Sequence, residues 1–113
     1  MRKLYGIKNC DTVKKARVWL EQHNVAYQFH DYKIDGINSE LLKRFADGLG
    51  WEVLLNKRST SWRELSDAQK TDLNADSALL LLVTHPTLIK RPILESGNTF
   101  IIGFNADEYQ RTL

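Results

Sequence analysis

The hydrophobic period changes twice within the first 31 residues, and that limits the possible folds more than any other feature of this chain. Lys3–Ile7 (Lys-Leu-Tyr-Gly-Ile) is short and rich in strand formers. From Asp11 to His23 the apolar or small positions Val13, Ala16, Trp19, Leu20 and His23 recur at helical spacing, with Lys14, Lys15, Arg17 and Glu21 on the other side. Val25–Asp31 then alternates, Val25, Tyr27 and Phe29 against Ala26, Gln28 and His30. A strand, a helix and a strand in about thirty residues make a βαβ unit whose two strands run parallel. Asn9 or Asp11 is the expected N-cap of the helix, and Asn24 its expected stop.

After a break at Gly36 and Asn38-Ser39, Ser39–Gly48 reads as a helix with Leu41, Leu42 and Phe45 inward. Trp51–Lys57 is a short apolar passage leading to the polar loop Arg58-Ser59-Thr60-Ser61. Thr60 or Ser61 is the expected cap of a short helix through Trp62–Leu65, and Ser66–Lys70 forms another. Ala75–His85 carries the strongest central helix signal; it breaks at Pro86 and resumes through Thr87–Ile89. Arg91–Glu95 and Thr99–Gly103, joined by Ser96-Gly97-Asn98, read as a hairpin, and Asn105 caps a last helix over Ala106–Thr112. The order is βαβ, several helices, then ββα, with no repeat or linker.

Composition narrows the function classes. A chain of 113 residues with 42% apolar and 27% charged residues is sized and balanced for one globular domain. A formal net charge of +2, mixed along the chain, gives no electrostatic footprint for nucleic acid. Ala78–Val83, the longest apolar run, is far too short to span a bilayer, and one cysteine excludes an internal disulfide, so the cytoplasm is the expected location. His23, His30 and His85 have no metal-ligand spacing, and neither a phosphate-binding glycine loop nor a serine nucleophile motif occurs.

The feature with chemical content is Cys10. A lone cysteine is most often a small buried apolar residue. This one sits where the first strand gives way to the helix, where the backbone dipole and unpaired N–H groups favour the thiolate. Lys8, Lys14 and Lys15 are expected to add positive charge. Val13 occupies the position of a CxxC resolving cysteine, so any catalysis is monothiol and the second sulfur comes from outside. Taken alone, Arg58 reads as a solvated surface arginine, and Pro92 as a strand-start proline that costs no ladder hydrogen bond.

Three segments occur in order: Tyr5-Gly6-Ile7-Lys8-Asn9-Cys10-Asp11-Thr12-Val13-Lys14-Lys15-Ala16, Asn56-Lys57-Arg58-Ser59 and Leu88-Ile89-Lys90-Arg91-Pro92-Ile93. With the βαβ unit and the hairpin they resemble the thioredoxin-like fold. More narrowly, the chain is similar, over essentially its full length, to the arsenate-reductase-like (ArsC/Spx) family and its YffB-type branch. The resemblance implies an α/β fold with a central mixed four-stranded sheet, as one domain over 1–113 with a helical insertion at about 33–90. It implies that Cys10 attacks the substrate, and that Lys8, Asn9, Arg58, Arg91 and Pro92 bind substrate or glutathione. Pro92 is then cis, offering backbone groups to a bound peptide or glutathione. No metal and no bound cofactor are implied. Glutathione serves as co-substrate, glutaredoxin or a protein disulfide as partner, and neither a membrane nor direct nucleic-acid contact is expected.

Departures from the family pattern choose among its activities. The arsenate reductases carry a further arginine in the last strand region, where this chain reads Phe100-Ile101-Ile102-Gly103-Phe104-Asn105, and a histidine where it has Gly6. The Spx regulators most often carry CxxC. The reading is therefore a glutathione-dependent monothiol reductase. Arsenate reduction and a non-enzymatic, Spx-like role in binding RNA polymerase stand as the alternatives.

Overall fold

The computed structural model describes residues 2–113. Residues up to Gly36 together with Arg91–Leu113 form one compact unit, and Ile37–Lys90 forms the other. The first unit holds strands β1 (Arg2–Gly6), β2 (Tyr27–Asp31), β3 (Ile93–Ser96) and β4 (Thr99–Ile102) in the order β2-β1-β3-β4. β1 and β2 are parallel, while β1–β3 and β3–β4 are antiparallel, so the sheet is mixed as expected. Helices α1 (Asp11–Gln22) and α7 (Ala106–Thr112) complete the unit. Leu4, Ala16, Leu20, Leu94, Ile101 and Tyr109 form its buried cluster, drawing one or two side chains from each of five elements.

The helical period of α1 is realised with Val13, Ala16 and Leu20 buried. β2 starts at Tyr27, opposite Arg2 at the start of β1, and not at Val25, which belongs to the closure of α1. Asn24 takes a left-handed φ of 54°, its N–H reaches Glu21 O (3.2 Å), and the Val25 N–H reaches Leu20 O (2.9 Å). This is a Schellman closure, with asparagine in the position that favours glycine and a core-packed apolar residue after it. The Val25 N–H is spent on the helix and cannot enter the ladder. In the hairpin, Gly97 has a φ of 60° between the paired residues Ser96 and Thr99, as its turn chemistry predicts. Asn105 caps α7 through its side chain, accepting from the Glu108 N–H at 3.0 Å.

The second unit contains α2 (Ser39–Leu49), α3 (Trp51–Leu54), α4 (Thr60–Arg63), α5 (Asp67–Lys70), α6 (Ala75–Thr84) and a 3₁₀ turn at Pro86–Leu88. Leu42 and Phe45 of α2 and Ala78 and Leu82 of α6 are buried. Two sequence expectations shift by a few residues. Ser59, not Thr60 or Ser61, caps α4, because its hydroxyl is the one that meets the Trp62 N–H (3.1 Å). Ser66 lies outside α5 as the N-cap of a reciprocal capping box with Gln69. None of the described helices is long and apolar enough to cross a membrane.

Candidate active site

Cys10 is itself the N-cap of α1, with φ −118° and ψ 122°, the extended conformation such a residue adopts. Neither Asn9 nor Asp11 caps the helix: Asn9 lies in the preceding turn, and Asp11 is already the first helical residue. The helix thus begins on a thiol where an oxygen normally stands. No side-chain capping bond is closed, and the first N–H groups of the helix remain directed at the sulfur.

The half-buried thiol is under opposing influences. Burial raises its pKa; the Val13 N–H, a hydrogen bond from the Arg91 side chain, the Arg91 charge and the Thr12 N–H lower it, and together they win, so Cys10 lies below its ordinary value. The cation acting on the sulfur is therefore Arg91. Lys8, Lys14 and Lys15, expected to add to the effect, are exposed and do not figure among the groups that act on it.

The strand that brings Arg91 there is β3, paired with β1 through Ile93 and Tyr5. The Arg91–Pro92 bond is cis, as the resemblance implied. Pro92 is buried, and its carbonyl accepts from the Gly103 N–H at 2.8 Å, which ties the start of β3 to the end of β4. Lys8 and Asn9 lie exposed in the turn ahead of Cys10.

Arg58 belongs to the other compact unit, exposed in a loop with a defined frame. Leu55 and Ile89 form an isolated antiparallel bridge, flanked by Asn56 N–H to Leu88 O and Lys90 N–H to Leu54 O, both 2.8 Å. The Asn56 side chain accepts from the Arg58 N–H (3.2 Å), and the Ser59 hydroxyl donates to Asn56 O (2.8 Å). Glu52, Leu55, Asn56, Lys57, Arg58 and Lys90 line a hollow of about 530 Å³, in which three cations face one carboxylate.

Two features of the first unit escape a reading of the residues alone. Gly6 is buried, and a Cβ there would stand 2.8 Å from Val13 Cγ2. The glycine therefore sets how closely the first turn of α1 approaches β1, a role that shows only once the helix is docked. Tyr32, just past β2, is 4% exposed, and its hydroxyl has no hydrogen-bond partner. Burial and Tyr5 raise its pKa strongly, with Arg91 acting in the opposite sense, so it stays a neutral phenol. Its signal in the sequence is slight: it continues the alternation of His30 by one more step. Among the described residues no His, Cys, Asp and Glu side chains group to hold a metal ion.

Residues 5–112 match the family model described as the ArsC family. A solved structure named YFFB protein is 49% identical, with a TM-score of 0.97 over 100% of this chain and 99% of that one. A solution structure of an arsenate reductase (ArsC) related protein from Brucella melitensis is 43% identical, with a TM-score of 0.79 over 98% of this chain and 92% of that one. The global transcriptional regulator Spx of Streptococcus mutans is 31% identical over 112 residues, 97% of this chain and 81% of that protein.

Proposed function

Because this chain belongs to the ArsC family, we propose that it is a glutathione-dependent monothiol reductase acting in the cytoplasm through Cys10. The observation that carries the reading is the N-cap thiol, faced by two backbone N–H groups and by Arg91, in a chain with no second cysteine. The Cys10 thiolate attacks one sulfur of a glutathione mixed disulfide. The Cys10–glutathione disulfide forms, the substrate sulfur leaves as a thiolate and takes a proton from solvent. A second glutathione thiolate then attacks the glutathione sulfur of that adduct, releasing glutathione disulfide and restoring the Cys10 thiolate. Across the two steps, one glutathione sulfur is oxidised from thiol to disulfide level and the substrate sulfur is reduced from disulfide to thiol level, with no net change on the protein. Lys8, Asn9, Arg58, Arg91 and Pro92 are the residues proposed to bind substrate or glutathione, the three cations suiting the carboxylates of glutathione.

The test is reduction of a glutathione mixed disulfide under glutathione, glutathione reductase and NADPH. Turnover by the wild type, with Cys10→Ser at the uncatalysed rate, is expected; equal rates for the two would sink the proposal. Glutaredoxin and glutathionylated proteins are the partners to add to that assay.

Arsenate reduction is the weaker reading. Phe100–Asn105 offers no basic residue to an oxyanion, and Gly6 stands where those enzymes have a histidine. Similarity to Spx favours a different reading, a regulator that binds RNA polymerase. Polymerase capture that survives Cys10→Ser, without turnover by the wild type, selects it.

A further inference from the structure

Lys14 and Lys15 carry positive charge within a turn and a half of Cys10, yet neither is among the groups that act on its sulfur. On the same helix Val18 is an apolar residue left 51% exposed. Geometry links them to the thiol. The Lys14 N–H donates to Cys10 O at 3.0 Å, closing the first turn of α1. Cys10, Lys14, Val18 and Gln22 therefore form one i,i+4 row along the helix surface, headed by Cys10. At about 1.5 Å per residue, Lys14 lies about 6 Å and Val18 about 12 Å down the axis from Cys10.

This row borders a hollow of about 430 Å³, lined by Lys14, Lys15, Val18, Trp19 and Gln22 of α1 and by Phe104 beyond β4. Both walls belong to the same compact unit, and both aromatic rings are fixed. Trp19 is stacked on His23 at 3.8 Å and set edge-on to the buried Tyr109 at 5.4 Å. Phe104 meets the same Tyr109 edge-on at 5.0 Å. The Phe104 wall also leads back to the site, because the Gly103 N–H before it donates to the carbonyl of Pro92, next to Arg91. Among the described residues the two lysines are the only charged groups lining the hollow. Asp11 heads the neighbouring row, Asp11-Lys15-Trp19, but does not line it. The result is an apolar groove with preset aromatic walls and a basic end towards the thiol. Glutathione, with two carboxylates and no large apolar side chain, has nothing to seat in it.

We propose that this groove docks the protein half of the substrate, a segment whose own cysteine carries the glutathione. A large apolar side chain of that segment sits against Val18, Trp19 and Phe104, and a carboxylate meets Lys14 or Lys15. The proposal rests on the reading of Cys10 as a glutathione-dependent thiol and names its substrate as glutathionylated protein. The step is the one already given: Cys10 takes the glutathione sulfur, and the cysteine of the segment leaves as a thiolate. An extended segment advances about 3.3 Å per residue, so the apolar anchor falls about three or four residues from the cysteine and the carboxylate about two. Walls already held in place reduce the ordering cost of docking.

The probe is a six-residue peptide with a glutathionylated cysteine first, glutamate third and leucine fifth, made in both chain directions. One control replaces the leucine by serine, and the other replaces the glutamate by lysine. Calorimetry on Cys10→Ser, which cannot exchange with the disulfide, is compared with Cys10→Ser/Val18→Glu, and both melting temperatures are recorded. One direction of the probe is expected to bind fivefold or more tightly than the serine control and to lose that advantage in the Val18→Glu protein. Charge reversal of the exposed lysines, Lys14→Glu/Lys15→Glu, is expected to shift the preference from the glutamate peptide to the lysine control. This second variant decides the matter if Val18→Glu lowers the melting temperature. Equal affinity for probe and serine control overturns the proposal, as does no measurable binding in either direction, or a preference that survives both variants. Binding is read without turnover, so failure of the reductase reading and failure of this docking site remain distinct outcomes.

Discussion

At the scale of single residues, the site is a trade between capping and reactivity. Serine and asparagine are strong N-caps because a small oxygen closes onto the N–H groups of the first turn. Cys10 places a larger, weaker acceptor there and closes no such bond, so the helix gives up stability while its N-terminal field acts on the sulfur. Cys10→Ser is therefore expected to raise stability by about 0.5–1 kcal/mol at acidic pH, below the titration of the thiol, while abolishing the chemistry. The pKa of Cys10 is lower folded than unfolded, so the thiolate contributes stability above the ordinary thiol value, and loses it as pH falls through the folded value. The advantage of Cys10→Ser in urea denaturation should accordingly shrink as pH rises from 6 to 9; a constant advantage would show that the thiolate is not favoured by the fold. Arg91→Met removes a hydrogen bond and a charge from the sulfur, and the alkylation profile should move to higher pH. Gly6→Ala, which forces a Cβ to within 2.8 Å of a buried β-branched side chain, should cost about 1–3 kcal/mol and slow alkylation at pH 7, as α1 backs away from β1.

At the scale of elements, the legible and the illegible divide by how local the cause is. The βαβ unit, the hairpin and the Asn105-capped helix were readable because period, turn glycine and cap all act within a few residues. The start of β2 was not. Its position depends on the register with β1, which begins at Arg2 opposite Tyr27, and alternation in Val25–Asp31 carries no trace of that. The role of Gly6 is hidden for a stronger reason: it depends on a partner element that only tertiary structure supplies. Cys10 is legible as a site because a strand-to-helix junction is a local feature. Its cation, Arg91, lies 81 positions away and is legible only through the family resemblance, since the local sequence offers three lysines instead. The Asn24 closure carries its own prediction. A β-branched residue cannot hold a φ of 54° cheaply, so Asn24→Val should destabilise the protein by roughly 1–2 kcal/mol in urea denaturation. Asn24→Gly should be neutral or stabilising, and equal losses for the two would show that the side chain of Asn24 matters more than its backbone.

At the scale of the whole molecule, the deciding quantity is the count of sulfur nucleophiles. With one cysteine in 113 residues, no intramolecular thiol can discharge a mixed disulfide formed at Cys10. Each chain can therefore act once on its own, and every later cycle needs a thiol from solution. Mixing the reduced protein with excess glutathione mixed disulfide, without free glutathione, should release one equivalent of leaving thiol per chain and then stop. The protein left behind should carry glutathione on Cys10 by mass spectrometry. Adding glutathione should convert that burst into steady turnover that scales with glutathione concentration until another step limits it. A CxxC reductase expels its bound partner through its own second thiol, and so releases both halves of the first disulfide without any added thiol. Steady release beyond one equivalent here, with no thiol added, would mean that Cys10 does not hold the adduct and that resolution by an external sulfur is not how this site works.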